Sequence, residues 1–164
     1  MCLNVLFEIY HALIHSYVRY GILTWGTASE TTLKPLQTLL NKALRIMTFS
    51  PFGHIDIEPL YKELYIPDVG DTFIFETSKF MFKLKKHLLP TNIANYFAQP
   101  QMTTRNSYNL RPRAQRKVIT RLSSSEKSIH IRGELVWGLI PETFRESTPF
   151  QAFKKQIKKA LVEG

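Results

Sequence analysis

Leu3, Leu6, Phe7, Tyr10, Leu13, Ile14 and Tyr17 recur at three- and four-residue steps. That spacing predicts a helix from about Leu3 to Leu23 with one apolar face. Glu8, His11, His15 and Arg19 fall on the opposite, water-facing side. Gly21 through Gly26, with Trp25, reads as a turn. A second helix is expected from about Ser29 to Met47, capped by Ser29 or Thr31, with Pro35 tolerated near its start. Its apolar face is Leu33, Leu36, Leu40, Ala43, Leu44 and Met47. Lys34, Thr38, Asn41, Lys42 and Arg45 form its far face, a basic stripe without a carboxylate.

Ser50-Pro51-Phe52-Gly53 reads as a turn, and Asp56 as the cap of a short helix through Leu64. A long helix from about Asp68 to Leu88 follows, with Phe73, Phe80 and Leu84 expected inside and Lys79, Lys83 and Lys86 outside. Its apolar arc is wide enough to place it at the centre of a bundle.

After Pro90 the pattern changes, and Gln99-Pro100-Gln101 reads as a boundary. Residues 107–110, 117–122 and 128–131 are the best strand candidates. Gly133 to Leu139 reads as a short helix stopped by Pro141. A last helix is expected from Thr148, with Pro149 at its first position and Gln151 completing a capping box. It buries Phe150, Phe153, Ile157 and Leu161 and exposes Lys154, Lys155, Lys158 and Lys159. The expected fold is mainly α: a helical bundle over residues 1–98, then a small α+β basic region over 99–164.

Composition narrows this picture. In 164 residues, 44% are hydrophobic and 12% aromatic, enough to bury a core and too many for a disordered chain. One cysteine, Cys2, excludes a disulfide framework and favours a reducing compartment. The most apolar stretch carries Glu8, His11, His15 and Arg19, which argues against a membrane span or a signal peptide. An intracellular protein, in nucleus or cytoplasm, is expected. The abrupt start at Met1-Cys2-Leu3 suits a compact protein or a fragment of a longer one.

Charge is the most informative feature. The net charge is +9, and residues 101–132 alone hold eight Lys and Arg against one acidic residue, Glu126. Such concentration points to a polyanionic partner. Catalytic chemistry is hard to find. The aspartates are Asp56, Asp68 and Asp71, the last two placed as helix caps rather than as a two-metal pair. No glycine-rich phosphate loop occurs. His11 and His15 have the i, i+4 spacing of metal ligands, but no third ligand stands nearby. The chain reads as a non-enzyme with no cofactor, metal or small-molecule substrate.

Several phrases together resemble the region after the palm of non-LTR retrotransposon reverse transcriptases of the jockey-like kind. Tyr10-His11-Ala12-Leu13-Ile14-His15-Ser16 through Arg19-Tyr20-Gly21, then Trp25-Gly26, is similar to its opening. Leu36-Gln37 through Asn41-Lys42-Ala43-Leu44-Arg45-Ile46 is similar to its next helix, with Leu40 where the family usually has Gln. Tyr108-Asn109-Leu110-Arg111, Ser128-Ile129 through Arg132-Gly133, Leu135-Val136-Trp137, Ile140-Pro141 and Phe153-Lys154-Lys155 resemble its tail. Gly138 and Ile140 replace the usual Asn and Leu. The resemblance implies a helical thumb followed by a basic tail, with the fingers, the palm and its Asp-Asp motif outside this chain.

A thumb grips the template–primer duplex with cations and small polar groups, without reading bases. Lys34, Asn41, Lys42 and Arg45 meet that requirement on the second helix. Arg105, Arg111, Arg113, Arg116, Lys117, Arg121, Lys127 and Arg132 meet it in the tail, with Tyr108 available to stack on an unpaired base. The expected partners are RNA or DNA and the missing fingers and palm. The alternative is a structural or protein-interaction module that docks on the polymerase body; a peripheral membrane anchor through the last helix is weaker.

Overall fold

The same periodicities fold as helices. The computed structural model describes residues 3–50, 56–98, 128–146 and 149–163. In chain order these are α1 (Leu3–Ile9), a π turn (Tyr10–His15), α2 (Ser16–Arg19), α3 (Ile22–Trp25), α4 (Glu30–Met47), α5 (Glu58–Glu63) and α6 (Val69–Lys85). Then come α7 (Thr91–Ala98), α8 (Ile129–Leu139), α9 (Glu142–Arg145) and α10 (Phe150–Glu163).

The described residues are mainly helical and contain no strand. Residues 128–131, expected as a strand, open α8 instead. The Ser128 hydroxyl accepts a hydrogen bond from the His130 amide at 3.4 Å and caps that helix. The strand candidates 107–110 and 117–122 lie outside the described residues, so the α+β reading of the tail has no strand to support it. Helix α7 stands where the hydrophobic pattern indicated no element.

The first helix departs from a single 3.6-residue stripe. At the π turn the inward positions change from Tyr10 to His15, then continue as Val18 and Ile22. Leu13 and Tyr17, expected inside, are 62% and 81% exposed. Ser16 Oγ donates to the Ala12 carbonyl at 2.6 Å, satisfying a backbone group in the widened turn. Gly21 then adopts φ 64°, a left-handed conformation that separates α2 from α3.

Helix α4 keeps its expected face: Leu40, Leu44 and Met47 are buried. They join Tyr10, Val18, Ile22, Tyr61, Ile66 and Val69 in one apolar cluster. A second cluster holds Phe82, Ile140, Phe153 and Ile157. Helix α6 contributes Val69 to the first and Phe82 to the second, and packs against α2, α3, α4, α8 and α10. Asp68 caps it as expected, its Oδ1 accepting from the Asp71 amide at 2.7 Å.

Phe73, Phe80 and Leu84 are only half-buried, because small polar residues occupy the innermost face of α6: Thr72, Thr77 and Ser78. Thr72 and Ser78 return their hydroxyl protons to carbonyls of their own helix, at 2.6 and 2.7 Å. That local bonding lets a hydroxyl enter a core and neighbouring helices approach closely. A methyl on Gly133 of α8 meets the Met81 sulfur at 2.7 Å. Lys86 is exposed as expected, whereas Lys79 and Lys83 are half-buried.

Helices α4, α5 and α6 end alike. Phe49, Tyr65 and His87 take φ of 54°, 52° and 55°. The next amide in each case returns to a carbonyl five residues back: Ser50 to Arg45, Ile66 to Tyr61, Leu88 to Lys83. These are Schellman caps with bulky residues at the position glycine usually fills.

Candidate nucleic-acid interface

The basic stripe of α4 divides in three dimensions. Lys34 and Lys42 are exposed to solvent, and Arg45 is half-buried. Asn41 turns inward: its Oδ1 accepts from the Tyr61 hydroxyl at 2.7 Å and from Gln37 Nε2 at 3.1 Å. Gln37 also donates to the Tyr61 oxygen at 2.9 Å, while its own oxygen accepts from the Val69 amide at 3.1 Å. Asn41 therefore belongs to a polar network tying α4, α5 and α6 together.

The space beside that network is acidic. A cavity of about 450 Å³ is bordered by Asn41, Tyr61, Asp56, Glu58, Asp68 and Asp71, with Lys62 the cation among its lining residues. Burial, then the neighbouring Asp68 charge, raise the Asp71 carboxyl to about 6. Burial also pushes the Tyr61 phenol up. Lys34 and Lys42 face solvent, while Asn41 is engaged within the fold.

Arg132 lies in the first turns of α8, half-buried. Arg105, Tyr108, Arg111, Arg113, Arg116, Lys117, Arg121 and Lys127 lie outside the described residues. Near the start of α8, His130 stacks on Phe97 with centroids 4.0 Å apart, and Tyr96 stands 5.3 Å from the same imidazole. Tyr96 is 61% exposed.

A second cationic group forms where the π turn meets α6 and α10. Arg19 pairs with Glu76 at 2.7 Å, and the same carboxylate also holds Lys79. His11, His15, Arg19, Lys154 and Lys158 form the polar wall of a cavity of about 260 Å³. Phe75 and Leu161 line its apolar side. The two imidazoles meet edge to face with centroids 5.1 Å apart. Burial first, then His11 and the Arg19 charge, lower the His15 imidazole to about 4. Burial, with Lys158 and Arg19, lowers His11 too.

The sequence pattern placed His15 on a water-facing side, yet it is only 8% exposed. It also set the α10 lysines apart from the binding residues, whereas Lys154 and Lys158 converge with Arg19 across the fold. The available sequence signal was the 11, 15, 19 spacing of His, His and Arg along one helix. Among the described residues, no group of three or more His, Cys, Asp or Glu is placed to hold a metal ion. No described helix is long and apolar enough to cross a membrane. No protein-family model, curated protein or solved structure matches the chain.

Proposed function

We propose that this chain is the thumb-and-tail portion of a reverse transcriptase of the non-LTR retrotransposon kind, and that it binds RNA or DNA through phosphates without reading sequence. The observation that carries this reading is the charge distribution: eight Lys and Arg against one acidic residue within positions 101–132. A cation run of that density gains affinity by releasing counterions from a polyanion. Exposed Lys34 and Lys42 on α4 add cations on the folded body. The helical architecture is compatible with a thumb, and the resemblance in sequence supplies the family. The reading includes no nucleotide incorporation by this chain.

A specific observation favours a second reading, docking on another protein surface. Leu13, Tyr17 and Tyr20 stand on the outer side of the first helical segment at 62%, 81% and 83% exposure.

Salt dependence separates the two. With four or five cations engaged, the log–log slope of nucleic-acid affinity against salt is about −3 to −4. Replacing Arg111, Arg113 and Arg116 by Ala flattens it by about 2. Affinity that survives high salt, or is unmoved by the triple substitution, selects protein docking.

A further inference from the structure

We propose that the cavity between the π turn and α10 binds a phosphate-class oxyanion, held against Arg19, Lys154 and Lys158. Three independent observations converge there. The cavity, about 260 Å³, has room for a phosphate with a small organic substituent. Three cations line it, Arg19, Lys154 and Lys158, with no carboxylate among the lining residues; the Glu76 carboxylate that pairs with Arg19 is also held by Lys79. His15, more than nine-tenths buried in its wall, has a ring nitrogen, Nε2, with no hydrogen-bond partner.

The backbone supports the same assignment. π turns are rare and concentrate at functional sites, since each aims side chains where an α-helix cannot. Here the extra residue carries His15 to the inner side while His11 stays beside it. The i, i+4 histidines invite a metal reading. The charge balance opposes it, because a cation arriving there meets Arg19, Lys154 and Lys158 before it meets a carboxylate. Those same charges favour an anion in a partly dehydrated site.

Binding is coupled to protons. The groups facing the imidazoles are Arg19 from α2, Glu76 from α6, and Lys154 and Lys158 from α10, with Tyr10 stacked on His15. Burial and the cations disfavour the protonated form of both histidines, and a bound anion opposes that bias. Bound anion raises the imidazole pKa values, so affinity for an anion of fixed charge, such as sulfate, rises as pH falls from about 7 to 5.

The full chain is titrated with inorganic phosphate, with sulfate (a dianion across this pH range), and with a twelve-nucleotide single-stranded RNA, following the histidine side-chain NMR signals. Saturable shifts of His11 and His15 are expected with phosphate and sulfate. Lys154→Gln/Lys158→Gln lowers affinity at least tenfold, and Lys155→Gln, on an exposed neighbour, does not. If RNA moves the same signals and the double variant abolishes that response, the source is a polynucleotide phosphate. If only the inorganic anions move them, the source is a free phosphate. Shifts that fail to saturate, persist in the double variant or ignore pH overturn the site, as does saturation of the histidines by zinc but not by phosphate. Lys158→Glu, a single change at an exposed position, repeats the test if the double variant misfolds. Retention of anion binding by the Arg111/Arg113/Arg116 variant separates this site from the nucleic-acid reading.

Discussion

Tyr10 and His15 are five residues apart, yet their rings stack with centroids 6.2 Å apart and planes 25° from parallel. An α-helix brings i, i+3 and i, i+4 together; the i, i+5 stack arises from the π turn. Burial raises the Tyr10 phenol to about 12, and its hydroxyl has no hydrogen-bond partner.

A π turn amounts to one residue inserted into an α-helix. Deleting exposed Leu13 is therefore expected to restore continuous α-helix and keep the chain folded. Deleting Leu39 from α4, equally exposed, shifts Leu40, Leu44 and Met47 off the core face and unfolds it. Thermal melts of the two deletions decide it: a Leu13 deletion as damaging as the Leu39 deletion contradicts the inserted-residue account.

Two groups set opposing pH dependences. The folded-state pKa of His15 is depressed to about 4, so its stabilisation is present above about 6.5 and is lost as pH falls toward 4. The folded-state pKa of Asp71 is raised to about 6, so its stabilisation is present below about 4 and is lost as pH rises through 6. Between about pH 4 and 6 the two slopes oppose each other. Relative to the parent chain, Asp71→Asn makes stability rise more steeply with pH in that window, and His15→Phe makes it fall. Urea midpoints measured across the window test both signs; parallel profiles for all three chains refute the assignment.

Backbone positions give a ranked series. Gly138 has open space around a new Cβ, so Gly138→Ala gains helix propensity of up to about 1 kcal/mol. Gly133→Ala presses on the movable Met81 sulfur and loses part of that gain. Gly26→Ala meets the Ile22 carbonyl and the Phe73 ring at 2.5 Å each and costs about 1–3 kcal/mol. At the exposed left-handed caps, Phe49→Gly and Tyr65→Gly relieve about 1 kcal/mol each. Melting temperatures give the order, and a Gly26→Ala chain at least as stable as the Gly138→Ala chain contradicts it.

The α4 stripe is separable by substitution. Asn41→Ala leaves the Tyr61 hydroxyl without its acceptor and costs about 1–3 kcal/mol of stability, with nucleic-acid affinity unchanged in the folded fraction. Lys34→Ala/Lys42→Ala does the reverse: stability holds while the salt slope loses about 1–2. Loss of RNA affinity in a fully folded Asn41→Ala chain overturns this division.

These contrasts show what periodicity carries. Leu40, Leu44 and Met47 were legible because α4 is a regular helix with one wet face. Asp68 was legible because a carboxylate before an apolar run has few other uses. His15 was not, since no residue type marks the point where the inward period changes from four to five. Residues 128–131 alternate polar and apolar like a strand, and packing against α6 makes them a helix. Thr72, Thr77 and Ser78 were overlooked for their polarity, though Thr72 and Ser78 satisfy their hydroxyls within α6. The meeting of Arg19 with Lys154 and Lys158 is long-range, and no local pattern encodes it.

Val69 and Phe82 place α6 in two separate apolar clusters, so loosening either one exposes part of that helix. The central α6 amides are therefore expected to be among the slowest of the chain to exchange with solvent. A cut near residue 98 strips Phe82 of Phe153, which it faces at 4.5 Å, and turns a buried ridge into a sticky one. The N-terminal helices alone are then expected to self-associate through that ridge, which the C-terminal segment covers in the full chain.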